Sequence, residues 1–412
     1  MTATIASTTK ILKEYYHGQR VESLMYKTNP FWGLLAKSEK FYGKNIPIPV
    51  TYGGGNGRSR TFATAQANRS GSKHEAFALT RAKDYSIWSI DNEAMEAAQS
   101  DKGAFARTVL AETKGAYNKI EQSISRSLFR NHGGSIGVIE SGAGTTTLVL
   151  TNKADIVNFE VGDIIVHAAT DGTSGALGAG AATTITAVNR SAKSITAAAN
   201  WPAAFTAGQF LFHSGDFGLA LAGLDSWLPA AAPGSTAFFG VDRSVDVDRL
   251  GGVRYVATPA EDGTLQKALV NTSSDLMTNG GTPDLVVMNP LDYTTLLNDI
   301  GTKTRFEKMA NRSGAVGGKA VLSYSALCIM LGTGEAKIIS DKHCPRGVAY
   351  MLQMGTWKLW SLGKCPRMFD ADGNKLLRED AADALQGRIF MYGNLGCSAP
   401  GYNARVDISA FA

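Results

Sequence analysis

The first stretch of this sequence whose backbone could cradle a phosphate is Gly53-Gly54-Gly55-Asn56-Gly57. A phosphate loop also needs the lysine and hydroxyl of GxxxxGK[ST], and neither follows, so no nucleotide site is expected. Asp242, Asp246 and Asp248 bring three carboxylates close together. They lack the central glycine and closing glutamate of a calcium loop, so a solvated acidic turn is expected instead. The six histidines (His17, His74, His132, His167, His213, His343) are scattered singly, with no HxxxH or HxH pair to hold a metal. Cys328, Cys344, Cys365 and Cys397 are far apart and form no CxxC pair, which argues against zinc and against a disulfide framework. His343 and Cys344 are neighbours in sequence, and an extended backbone would point their side chains apart. No serine elbow is expected. The residues that could do catalysis are present, but their spacing does not assemble a site: no catalytic, cofactor-binding or metal-binding residue is expected, and no enzyme.

The side chains that do cluster are basic. Between residues 51 and 84 there are six, Arg58, Arg60, Arg69, Lys73, Arg81 and Lys83, against Glu75 and Asp84. The segment therefore carries four of the chain's five net positive charges. Its large apolar residues are few: Tyr52, Phe62, Phe77 and Leu79. A long polar connection is uncommon inside a compact monomer. With so little to bury at home, the segment reads either as a disordered or solvated loop or as an arm whose folding partner lies on another subunit. The six basic side chains are the candidate inter-subunit contacts. A net charge of +5 on 412 residues is too small to diagnose nucleic-acid binding.

What positions this arm is legible in the periodicity. Ahead of it lie a short helix near Ile11–Tyr16, an apolar segment Asn29–Leu35, and Asn45-Ile46-Pro47-Ile48-Pro49-Val50, where two prolines enforce an extended, edge-like path. After it, Phe105, Val109, Tyr117, Ile120, Ile124 and Leu128 recur at spacings of three and four, with Thr113 filling the missed step. Ser100-Asp101 offers an N-cap and Gly133-Gly134 a stop, predicting a helix over Lys102–Arg130 roughly 40 Å long at 1.5 Å per residue. It is the one helix of such length, so it must pack on a sheet.

Residues 133–217 turn rich in Thr, Ala and Gly, with short strands expected at Thr146–Leu150, Asp163–Val166, Thr183–Val188, Ser194–Ala197 and Gln209–His213. Short strands at close intervals predict a small barrel or sandwich. Beyond Gly218 the pattern is mixed. A helix through Leu265, Leu269 and Leu276 has Asp262 as its expected cap and Gly280-Gly281 as its stop. A buried strand, Asp284–Met288, runs into Asn289-Pro290, read as N-cap and first helical residue. Further strands are expected at Ala336–Ser340, Val348–Leu352, Thr356–Leu362, Gly387–Leu395 and Arg405–Ile408, with a turn at Asp370–Asn374. No secretory signal and no apolar run of membrane-spanning length is seen.

Three groups of residues, in this order, resemble the major capsid proteins of tailed bacteriophages, whose shell fold is shared with herpesvirus capsids and encapsulins. The first is Asn29-Pro30-Phe31 leading through Lys44–Val50 to the basic segment and the long helix. The second is Pro283-Asp284-Leu285-Val286-Val287-Met288-Asn289-Pro290-Leu291-Asp292-Tyr293. The third runs from Cys344-Pro345-Arg346-Gly347 through Thr356-Trp357 to Gly393-Asn394-Leu395 and Pro400-Gly401-Tyr402-Asn403. The resemblance covers most of 20–132 and 218–408 and rests on order and spacing, each motif being weakly specific alone.

It implies an α+β capsid fold: an N-terminal arm (1–50), an extended basic hairpin loop (51–86) lying over a neighbouring subunit, and a peripheral domain with a long spine helix (87–132). An inserted β-rich domain (133–217) departs from the minimal fold. A peripheral connection (218–254), an axial domain (255–346), peripheral strands (347–395) and a C-terminal axial segment (396–412) complete it. The implied function is assembly: hexamers and pentamers of an icosahedral or prolate shell around packaged double-stranded DNA, touched non-specifically. Implied partners are copies of the chain itself, a portal and a scaffolding protein, expected to be separate because the shell-like motifs begin near Met1; a decoration protein is left open. The implied location is the virion capsid, assembled in the bacterial cytoplasm. An encapsulin-type compartment and, less well matched, a β-domain tail or adhesin protein are the competing readings.

Overall fold

The computed structural model describes residues 29–93, 102–301, 328–332, 334–370, 376–380 and 382–411. The helix expected near Ile11–Tyr16, the cap at Ser100-Asp101 and most of the turn at 370–374 lie outside the described residues. Among the described residues, two six-stranded sheets, a closed six-stranded barrel and a two-stranded ribbon make up the β structure.

The long helix is real and runs over Lys102–Ser127, one turn short of the expected end. Leu128, Phe129 and Arg130 leave the helix in turns, with Leu128 N–H still bonded to the Ile124 carbonyl. Ile120, Ile124 and Leu128 are buried in the main core, with Val109 and Tyr117 packed at its edge, so the periodic stripe is the buried face. That face lies on the strand Ala82–Asp91 and on Ala384–Cys397, the longest strand of the first sheet. Ala384–Cys397 is the spine of that sheet, pairing antiparallel with Ala82–Asp91, Trp357–Ser361, Arg367–Met368 and Leu376–Arg378. Ala36–Ser38 adds a parallel edge on Trp357–Ser361.

The second sheet has the order Val253–Val256, Ala404–Asp407, Val348–Leu352, Leu285–Met288, Gly334–Ser340, Cys328–Leu331. Leu285 and Val287 project into the main core, while Val286 and Met288 enter a second core shared with Leu265, Leu269, Leu276 and Leu296. A strand covered on both faces must be apolar throughout, which is why this run reads as four hydrophobic residues without alternation. Its helices run over Leu265–Thr278 and Pro290–Gly301. Asn289 caps the second as expected, accepting from Leu291 N–H at 3.0 Å. The first is capped not by Asp262 but by Thr264, whose hydroxyl accepts from Lys267 N–H. Asp262 instead binds the Tyr255 hydroxyl, Thr258 N–H and Asn271, tying the helix to the loop before it.

The β-rich stretch closes into a barrel of Gly137–Ser141, Thr147–Leu150, Ile164–Ala168, Thr183–Asn189, Ser194–Ala197 and Phe210–His213. The barrel has its own core around Phe159, Trp201 and Phe205, separate from the other two. Among the described residues no helix is long and apolar enough to cross a membrane.

Candidate assembly hairpin and the ionic cluster beneath the barrel

The basic segment is a ribbon. Asn45–Gly53 pairs antiparallel with Lys73–Thr80, from Asn45 opposite Thr80 to Gly53 opposite Lys73. Pro47 and Pro49 face outward and Ile48 and Val50 inward, the alternation that a ribbon with one packed face requires. Its root is anchored more firmly than the residue count suggests, because Phe77 and Leu79 are both fully buried. The Phe77 ring meets Trp227 edge-on at 5.0 Å, and Ala78 N–H bonds the Phe239 carbonyl at 2.8 Å. Arg249 donates to the Tyr52 carbonyl at 2.6 Å. Four apolar residues, Ile48, Val50, Phe77 and Leu79, suffice at home, since a ribbon buries one face in alternate positions.

Beyond the root almost nothing is buried. The short helix Phe62–Ala67 at the tip has no buried residue, and Phe62 is 82% exposed. The tip is held to itself: Asn56 N–H bonds the Ser70 hydroxyl, and a Cβ at Gly55 would come within 2.4 Å of the Ser70 carbonyl oxygen. The glycine run therefore serves close strand approach and not a phosphate.

The structure splits the six basic candidates. Arg58, Arg60, Arg69 and Lys73 lie exposed on the outer part of the ribbon, and none of the four forms an ion pair among the described residues. Arg81 belongs to the body, donating to the Phe41 carbonyl at 3.1 Å with its guanidinium over the Phe41 ring. Lys83 is exposed on the sheet strand Ala82–Asp91.

Sequence reading missed a second group of charges where the long helix meets the barrel. Lys119 reaches Glu160 at 3.0 Å and Asp163 at 2.7 Å. Arg130 pairs with Asp155, and Asn131 donates to Asp171 at 2.6 Å. Arg126, deeply buried, donates to His213 Nε2 at 3.1 Å and lies 3.8 Å from Asp216. Because Nε2 accepts, His213 is neutral; burial first, then Arg126 and Lys119, hold its pKa well below the ordinary value. Burial raises the Asp216 carboxyl to about 6 despite Arg126 and lifts Asp84 in the same direction. Two cavities of about 560 Å³ and 210 Å³ adjoin these groups, each lined by Asp84 and Asp216. The barrel is thus fastened to the body by ions and hydrogen bonds. Lys119 and Arg126 share a helix stripe seven residues apart, but their acidic partners come from the barrel region of the chain, so no local pattern pairs them.

His343 and Cys344 are both buried. Burial and nearby cations depress His343 to about 3, and burial lifts Cys344 well above an ordinary thiol, so no thiolate–imidazolium pair forms. Gly133-Gly134-Ser135-Ile136-Gly137 does fit the GxSxG spacing, contrary to the expectation of no such string. Ser135 is buried and lies between a helix and a following strand, the reverse of a nucleophile elbow. Asp242 and Asp248 are exposed, as a solvated acidic stretch requires, and the group also has local work: Asp242 and Asp246 cap short helices and Asp248 pairs with Arg254 at 2.6 Å.

The quoted motif residues hold the sheets together. Asn403, fully buried, accepts from Gln353 N–H and Trp357 Nε1 and donates to Thr356 and the Ala399 carbonyl. Asn394 joins Ala222 N–H to the Thr80 carbonyl, which fixes the foot of the ribbon.

This architecture was compared with known proteins. No family model matches the sequence, and no curated protein matches it. Among solved structures, the capsid chain of cyanophage A-1(L) superposes with a TM-score of 0.53 at 12% identity, over 98% of this chain and 99% of that one. The chain has the fold of a phage capsid protein. The holo-SrpI encapsulin of Synechococcus elongatus PCC 7942 is more distant (TM-score 0.45, 7% identity, 97% and 95% covered). So is a chain of Mycobacterium phage Bobi (0.43, 10%, 99% and 99%). At 12% identity the likeness is one of fold.

Proposed function

We propose that this chain is a major capsid protein of a tailed bacteriophage, a structural subunit and not an enzyme. It assembles into hexamers and pentamers of an icosahedral or prolate shell that encloses double-stranded DNA. The observation that carries the reading is the ribbon: buried at its root by Phe77 and Leu79, bare at its tip, and ending in four cations without an ion pair among the described residues. Such an element completes itself only against another molecule. Head-to-tail contacts between identical subunits close into rings, and a ribbon from each copy resting on the next is a contact of that kind. Each exposed ion pair contributes only about 0–1 kcal/mol, so affinity comes from repetition over the shell.

Under this reading the ribbon is the extended loop, and the long helix with the first sheet forms the peripheral domain. The second sheet with its two helices is the axial domain, and the barrel is an insertion. Partners are a scaffolding protein and a portal, with non-specific contact to DNA. The location is the virion capsid, after assembly in the host bacterial cytoplasm. Negative-stain electron microscopy of the purified chain tests this. Rings of five or six subunits, or closed shells, are expected, and discrete monomers across a wide range of concentration and salt would overturn it.

A further inference from the structure

The first sheet has two sides, and the long helix accounts for only one of them. Trp88, Ile90 and Ile389 point into the main core. The alternate positions of Ala82–Asp91 and Ala384–Cys397 point the other way. The register sets them opposite each other: Lys83 with Tyr392, Tyr85 with Phe390, and Ile87 with Arg388. Arg367 flanks Phe390 on its other side, with its guanidinium 4.9 Å from the ring. Tyr392 packs on Phe390 at 4.9 Å and meets Tyr85 edge-on at 5.9 Å. Tyr85 is 53% and Ile87 56% exposed, so nothing in the subunit covers this aromatic face. Lys83, Arg367 and Arg388 are exposed around it, and none of the three forms an ion pair among the described residues.

The opposite charge stands at the far end of the same strand pair. Residues 91–93 and 378–383 hold five carboxylates, Asp91, Glu93, Glu379, Asp380 and Asp383, and one base, Arg378. The backbone gathers them, since Asn92 N–H bonds the Asp383 carbonyl at 2.9 Å and Glu379 N–H the Ala384 carbonyl at 3.0 Å. None of the five forms an ion pair among the described residues. Lys83 and Asp91 are the second and last residues of one extended strand, roughly 26 Å apart at about 3.3 Å per residue. That is beyond the screening length of about 8 Å in physiological salt, so a subunit cannot neutralise its own two poles.

We propose that the aromatic, cationic face of this sheet receives the acidic end of the same sheet from a second copy of the chain. Every copy carries both halves, so the contact is head-to-tail and repeats from subunit to subunit. The proposal rests on the shell reading and adds to the ribbon a second joint between neighbours. Docking pairs the three cations with carboxylates while Tyr85 and Ile87 leave water. Cations beside aromatic rings would also suit a nucleic-acid strand. The complementary acidic end, present on every copy, favours the chain itself.

Charge reversal with rescue tests this on the full chain. Lys83→Glu/Arg388→Glu reverses the face, and Glu93→Lys/Asp380→Lys reverses the end. All four side chains are exposed, so the unassembled subunits should melt as the parent does. Each pair alone should raise the protein concentration needed for assembly at least about tenfold, read by light scattering and electron microscopy, with the penalty shrinking in high salt. The chain carrying all four re-forms the contact with signs exchanged and should assemble within about threefold of the parent. Should a reversed pair fail to fold, Lys83→Gln/Arg388→Gln and Glu93→Gln/Asp380→Gln run the same cycle, with non-additive losses expected. Losses that simply add, or reversals that leave assembly unchanged, overturn the contact while leaving the shell reading intact. A face reversal that abolishes binding of a DNA oligonucleotide, with assembly unchanged in both pairs, gives the face to nucleic acid and overturns the contact as well. A parent chain that forms no assembly at all sinks both readings.

Discussion

At the scale of single residues, the motifs most easily quoted from the sequence turn out to be brackets between strands. Asn403 is 0% exposed and uses both ends of its amide, accepting from Gln353 N–H at 2.8 Å and Trp357 Nε1 at 2.7 Å and donating to the Ala399 carbonyl at 2.9 Å. Replacing it with alanine leaves buried donors and an acceptor without partners, at about 1–3 kcal/mol each. Asn403→Ala is therefore expected to lower the stability of the unassembled subunit by about 3 kcal/mol, read from urea unfolding; a change below about 0.5 kcal/mol would show that water replaces the amide. None of this was legible in advance. An asparagine in a short motif can be a cap, a turn or a bracket, and only tertiary contacts with Gln353, 50 residues away, decide. The acidic trio shows the same limit: three aspartates in one loop read alike, yet two cap helices and one binds Arg254.

At the scale of elements, legibility followed periodicity. The long helix and the strand Leu285–Met288 could be read because each repeats one environment over its whole length, a stripe for the helix and two buried faces for the strand. Five of the six barrel strands were legible for the same reason. Gly137–Ser141 was not, because it opens on a glycine and follows two more. Ala82–Asp91 was read as the end of the basic loop; its first half alternates exposure and carries Lys83 and Asp84, which dilutes the strand pattern.

The junction between helix and barrel gives an element-scale prediction. Asp216 is faced by Arg126 and Lys119 from the helix, by Asp84 from the sheet, by Asp163 and His213 from the barrel, and by His343 across the smaller cavity. Its carboxyl is raised from 3.8 to about 6, so the folded chain holds this proton more tightly than the unfolded chain does. Its contribution to stability is present below pH 3.8 and is lost as pH rises through about 6. The side chain remains 40% exposed, so solvent screens the effect and it is modest. Thermal melts of Asp216→Asn should gain on the parent between about pH 4 and pH 7 and run parallel above that, and a constant difference across the range would contradict the assignment.

At the scale of the whole molecule, three cores carry unequal burdens. The main core unites the ribbon root, the helix face and both sheets, so a loss there reaches everything. Ile124, fully buried on the helix face, is one of its keystones, and Ile124→Ala should cost about 2–5 kcal/mol. The ribbon tip stands at the opposite extreme, since no residue of its helix is buried, while the root is pinned by Phe77, Leu79, Ile48 and Val50. Stability and assembly are therefore separable along one hairpin. Replacing residues 54–71 with an Asn-Gly turn, which closes two-stranded ribbons readily, removes no buried side chain. The truncated subunit should melt within about 0.5 kcal/mol of the parent yet form no rings or shells by electron microscopy. Shells built by the truncated chain would mean that the tip is not what one copy offers to the next.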